Sequence, residues 1–170
     1  MVMLLRHLLS IALLPFTVAV LVPVWIARQS AIVPALGASA GEIALQLLGT
    51  ALLGIGLWLF AASLRRFVTE GEGTLAPWDP PRRLVLRGPY RFVRNPMISG
   101  LIFVLFSEAL ILLSRPHAEW ATTFLVINLI YIPLLEEPMM AARFGDDYTE
   151  YCRHVRRIVP RLRPWQPTRS

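Results

Sequence analysis

The stretch "RGPYRFVRNPMISGLIFVLF", Arg87–Phe106, joins two kinds of chain that rarely adjoin. Its first ten residues hold three arginines, two prolines and a glycine, and the ten that follow are almost wholly apolar. Gly88-Pro89 marks a turn. Asn95 precedes a proline and is biased away from helix, while Pro96 suits the first helical position, where its missing N–H is no loss. That makes Asn95 the N-cap and the apolar run a helix. On spacing alone, "RNP" is a capped helix start with Arg94 reaching to a membrane interface.

The surrounding chain has the composition such a helix needs. Of 170 residues, 55% are hydrophobic and 16% charged, too apolar for an ordinary soluble domain. Leu8–Ala27 and Ile43–Leu64 hold no charge, and each reaches the roughly 20 residues that cross hydrocarbon as a helix. Pro96–Ser114 carries one acid, Glu108, to which no role is given. Trp120–Leu135 is uncharged but 16 residues long, so it crosses with help from its flanks or a thinned bilayer. The reading is an all-α integral membrane protein of about four transmembrane helices. Its last two form a hairpin around "SRPHAE" (Ser114–Glu119).

Charge placement supports this topology. All 17 basic residues are arginine. Four spans put fifteen of them on one side and Arg28 and Arg115 on the other, which places both termini, the middle loop and the tail in the cytoplasm. The expected location is a bacterial inner membrane. This pattern already accounts for the net charge of +6, so no nucleic-acid partner is called for. Ala38-Ser39-Ala40 imitates a signal cleavage site, but the apolar core before it exceeds the usual 7–15 residues, and the segment reads as an anchor. Cys152 stands alone, which excludes an internal disulfide, and the three histidines lack ligand spacing, so no metal is expected. The oligomeric state is not legible.

The cytoplasmic side divides into a loop and a tail. "GEGTLAPWDPPRR" (Gly71–Arg83) reads as a linker on the headgroups, with Trp78 at the interface. The tail opens at "LLEEPMMAARFGDDYTEYCRHVRRIVP", with Glu136 and Glu137 at the end of the fourth span, where acids oppose the helix dipole. Alternatively Pro138 starts a second helix that ends near Gly145, and Glu137 sits favourably at its N-terminus. Successive helical residues point about 100° apart, so one acid is free to face a bound cation while the other pairs with an arginine. Beyond Gly145, Tyr148, Tyr151 and Val155 suggest a short amphipathic helix lying on the membrane and ended by Pro160.

"GPYRFVRNPMISG" followed by "PLLEEPMMAARFGDDYTEYCRHVRRIVPR" resembles the isoprenylcysteine carboxyl methyltransferase family, whose relatives include phospholipid methyltransferases. The resemblance runs from about Gly73 to Arg163. In that family the first motif reads Arg-His-Pro-x-Tyr-x-Gly and the second is a Glu-Glu pair, both around an S-adenosylmethionine pocket. It implies a division into a two-span anchor, 1–64, and a methyltransferase-like core, 65–170. The implied cofactor residues are Tyr90, Arg94, Asn95, Pro96, Gly100, Glu136 and Glu137, with Glu137 and Arg94 catalytic. The implied partner is a membrane lipid or a lipid-like, prenylcysteine-type acceptor, with carboxyl O-methylation favoured. Asn95 replaces histidine and Ile98 replaces tyrosine; the Asn-Pro-Met and Glu-Glu-Pro variants resemble phospholipid N-methyltransferases. Asparagine retains a donor and an acceptor but does not titrate near neutral pH, so it suits a binding role.

Two other readings stay open. Membrane sterol reductases resemble the C-terminal region and use NADPH, but no Gly-x-Gly-x-x-Gly fingerprint is present, and Gly54-x-Gly56 lies inside the second span. A non-catalytic member of the same fold is the other.

Overall fold

The computed structural model describes residues 12–70 and 83–166, and every regular element among them is helical. A π-helical segment, Ala12–Leu21, runs into α1 (Val22–Gln29). Then come α2 (Ala40–Glu70), a 3-10 turn (Gly88–Arg91), α3 (Pro96–Ile111) and α4 (Arg115–Tyr131). A second π-helical segment, Ile132–Glu136, leads into α5 (Glu137–His154). α2 and the continuous helical run Arg115–His154 are long and apolar enough to cross a membrane; Pro15–Gln29 and Pro96–Ile111 are shorter apolar helices. The four apolar segments of the sequence are thus four helical stretches. The start of the first, and the loop around Trp78, lie outside the described residues.

Each boundary has a chemical cause. Ser39 and Glu42 form a capping box: Glu42 N–H donates to Ser39 Oγ (3.2 Å), and the Glu42 carboxylate accepts from Ala38 N (2.7 Å) and Ser39 N (3.2 Å). α2 does not stop at Leu64 where its apolar run ends. It continues through Arg65 and Arg66, and Arg66 pairs one turn on with Glu70 at 2.7 Å. Both π-helical segments contain a proline, Pro15 and Pro133, which lacks the N–H of the ordinary helical ladder.

The described residues group into two compact units, with the boundary in α2 at Trp58 and Leu59. One unit holds the residues up to Trp58 with Gly100–Leu125. There α2 and α3 run antiparallel at close range. A Cβ on Gly56 would sit 2.8 Å from the Gly100 carbonyl oxygen and 3.0 Å from Val104 N, and one on Gly49 would sit 2.9 Å from Leu110 Cβ. Glycines seven residues apart therefore face α3, whereas Gly54 meets nothing. Small residues permit such approach between membrane helices. Gln46 staples the same end, donating to the carbonyls of Ala35 (2.7 Å) and Ile111 (2.9 Å).

The first helix is tied to α4 in the same unit. Val18 C=O lies in the π-helical segment, where its partner five residues on would be Pro23, which has no N–H. Trp120 Nε1–H donates to it instead, at 3.1 Å. His117 Nε2 donates to Pro23 O (3.2 Å), which leaves Nδ1 to accept from the Ser114 hydroxyl (2.7 Å). Ser114 caps α4, so the predicted hairpin turn is displaced: it occupies Leu112–Ser114, with Leu113 at φ 49°, and Arg115–Glu119 is already helix. Arg115 pairs with Glu119 at 2.8 Å.

The other unit holds the described residues of Leu59–Ser99 and those from Val126 onward. Here the expected surface helix is corrected. Tyr148, Tyr151 and Val155 are buried together against Leu84, Leu86, Phe144 and Trp165. Their apolar face closes a small core, and the chain breaks from helix at His154, well before Pro160, where Val155 turns extended. Gly145 sits at φ 57°, ψ −131°, a conformation side chains resist, and it kinks α5 at the expected point.

Candidate functional site

Within the second unit, a cluster of charged side chains gathers where the strip Arg87–Asn95 meets the tail. Gly88, at φ 58°, lets the chain turn beneath the stem of Arg66. The 3-10 turn then buries Pro89 and Tyr90, and beyond it Val93 has no exposure at all. After α5 the tail doubles back along this strip. Arg94 N donates to Arg156 O (2.8 Å) and Asn95 N to Arg157 O (3.1 Å); Arg161 N donates to Phe92 O and Trp165 N to Arg91 O, both at 2.9 Å. Arg91 Nε reaches Trp165 O at 2.7 Å, and the Tyr151 hydroxyl donates to Tyr90 O at 2.6 Å. Trp165 packs on Tyr151 and stacks on His154.

This return brings two arginines to the Glu-Glu pair. Arg157 binds Glu137 through both carboxylate oxygens, Nε to Oε1 at 2.7 Å and Nη2 to Oε2 at 2.8 Å. Arg94 Nη1 reaches Oε1 at 2.9 Å and also donates to Cys152 Sγ at 2.7 Å. Fork-shaped pairing of this kind is the strong form of an ion pair. Burial pushes the Glu137 carboxyl up, but the Arg157 hydrogen bonds and the two guanidinium charges outweigh it and hold the group below its usual value. One of the two acids is therefore committed to arginines.

Its neighbour is not. Glu136 stands just past the apolar segment 120–135 and forms no ion pair among the described residues. Burial first, and then the Glu137 charge, push its carboxyl up to about 7, against the pull of Arg94. Two polar atoms beside it are buried without a partner among the described residues, the Tyr90 hydroxyl and Arg94 Nε. Burial, with Glu136 nearby, pushes the Tyr90 phenol upward, so it stays a neutral donor. Buried polar atoms are nearly always satisfied. An unpaired carboxylate, a free phenol and a free guanidinium N–H together fit a ligand that carries both cationic and anionic groups.

The predicted residues fall as follows. Tyr90, Arg94, Glu136 and Glu137 share this cluster, and Asn95 joins it through its backbone bond to Arg157. Asn95 C=O accepts from Ser99 N at 2.9 Å, the first bond of α3, as its cap position requires, and Pro96 is fully buried behind it. Gly100 belongs to the other unit, where its carbonyl faces Gly56. Sequence reasoning missed Arg157, Tyr151 and Cys152. In the sequence Arg157 is one arginine among the fifteen that a four-span topology places on one side.

Two helical runs of spanning length, two shorter apolar helices, and a carboxylate–arginine cluster where α3 begins and the apolar segment 120–135 ends together mark a helical protein suited to a membrane. A family model described as phospholipid methyltransferase matches residues 45–147, more than half of the chain and inclusive of every predicted site residue. The chain belongs to this family of membrane methyltransferases. No curated protein matches it.

Proposed function

We propose that the chain is an S-adenosylmethionine-dependent methyltransferase acting on a lipid-like acceptor, with both termini and the site in the cytoplasm. The observation that carries this reading is the division of labour within the Glu-Glu pair. Glu137 is neutralised by Arg94 and Arg157, while Glu136 is left to meet a cation. S-adenosylmethionine supplies an electrophilic methyl group on a sulfonium, together with an ammonium and a carboxylate. Glu136 would hold the cationic side, Arg94 Nε the carboxylate, and the Tyr90 hydroxyl would add a neutral hydrogen bond. Glu137 then acts by fixing Arg94 rather than by touching the methyl group.

The acceptor follows from the same carboxyl. A carboxylate acceptor, as the resemblance to the isoprenylcysteine enzymes implies, needs no base. An amine headgroup must surrender a proton, and a group poised near the working pH is the efficient one to receive it. Glu136, the acid of the cluster without an arginine partner among the described residues, can take that proton once the cation it faces has lost its charge. The family's own description is phospholipid methyltransferase, and it supports an amine-headgroup lipid. The test is transfer of labelled methyl from the cofactor to membrane lipids by the purified chain. The expected product keeps its label in alkali, as a methylamine does. Alkali-released methanol would instead mark a methyl ester and return the acceptor to a carboxylate, and no transfer to any lipid would reject the reading.

A further inference from the structure

Beyond His154 the tail forms a strap, residues 156–166, whose outer face differs from the core behind it. Leu162 is 99% exposed and Val159 62% exposed. Arg153, Arg156 and Arg163 are exposed around them, and no acid occurs from Tyr151 onward. Two bonds tie the strap to the ends of apolar segments. Ile158 C=O accepts the Ser99 hydroxyl at 2.7 Å, one turn inside apolar α3. Arg157 holds Glu137, immediately past the apolar segment 120–135. Val159 and Leu162 therefore sit within five residues of contacts at the ends of two hydrocarbon segments.

We propose that this strap docks on an anionic lipid surface. Val159 and Leu162 enter the boundary between headgroups and acyl chains, and Arg156 and Arg163 meet lipid phosphates. A fully exposed leucine between arginines is unfavourable in water and suited to that layer, where the apolar tips are buried and each arginine gains from the negative surface. An acidic protein would satisfy the arginines but gives Leu162 no apolar phase. The strap's inner edge carries the backbone bonds to Arg94 and Asn95, so lipid docking also holds that strip in register. The inference rests on the chain's place in a membrane and not on methyl transfer.

The test uses the full chain in nanodiscs of zwitterionic phosphatidylcholine, with and without anionic phosphatidylglycerol, and reads amide hydrogen exchange in residues 156–166. Anionic lipid should slow exchange by about tenfold or more, and high salt should remove the gain. A double variant, Leu162→Gln with Arg163→Gln, should exchange like the parent in phosphatidylcholine and show no gain in phosphatidylglycerol. Equal exchange of the parent in both lipids overturns the proposal. So does the same slowing produced by inorganic phosphate in zwitterionic discs, since a free anion offers no layer for Leu162.

Discussion

At the residue scale, the account turns on two adjacent carboxylates with opposite fates. Glu136 has its carboxyl pushed up to about 7 from an ordinary 4.5, so the folded chain keeps a proton that the unfolded chain has released. Its stabilising contribution is complete below the unfolded value and is lost as pH climbs through about 7. Binding of a cation favours the ionised form, so affinity for S-adenosylmethionine should rise through that window and level off above it; Glu136→Gln should flatten the profile, as calorimetry across the window will show. Tyr151→Phe removes the hydroxyl bonded to Tyr90 O, should cost about 1 kcal/mol of stability, and should lower the melting temperature in detergent. Arg94, Asn95 and the Glu-Glu pair were legible because arginine beside Asn-Pro and acids at a helix end are locally anomalous. Arg157 was not, because one arginine among many gives no sign of which carboxylate the folded tail carries it to.

At the element scale, helix positions were legible and their faces less so. Uninterrupted apolar runs give the four helices away, since every backbone group in hydrocarbon must be satisfied within its own segment. The ends are set by polar chemistry that hydropathy overlooks, as the extension of α2 to Glu70 and the Ser114 cap of α4 show. The aromatic face of α5 misled for a related reason: its spacing is the same whether a membrane or a returning tail covers it, and here the tail does. The close approach of α2 and α3 makes a sharp forecast. Gly56→Leu has no space beside the Gly100 carbonyl and should destabilise the chain by about 1–3 kcal/mol or more, whereas Gly54→Ala, with open space around it, should leave thermal unfolding nearly unchanged. Gly145→Ala tests the kink in α5. A side chain at φ 57°, ψ −131° should cost about 1–3 kcal/mol, read from the same unfolding curves.

At the scale of the whole molecule, membrane residence and family membership rest on patterns spread along the chain, while the site depends on a tail that returns to a strip some sixty residues earlier. That return is built from backbone hydrogen bonds, which composition does not record. Fifteen arginines on one face of a four-span topology predict that reporters active only in the cytoplasm will work when fused to either terminus. The central claim is narrower: the Glu136–Tyr90–Arg94 cluster binds S-adenosylmethionine. Calorimetry on the folded, purified chain in detergent tests it most directly. The account predicts one micromolar site, weakened about tenfold or more by Glu136→Gln, with a smaller loss for S-adenosylhomocysteine, which lacks the sulfonium charge. A folded chain that binds neither compound, or a Glu136→Gln variant that binds S-adenosylmethionine as tightly as the parent, would contradict it.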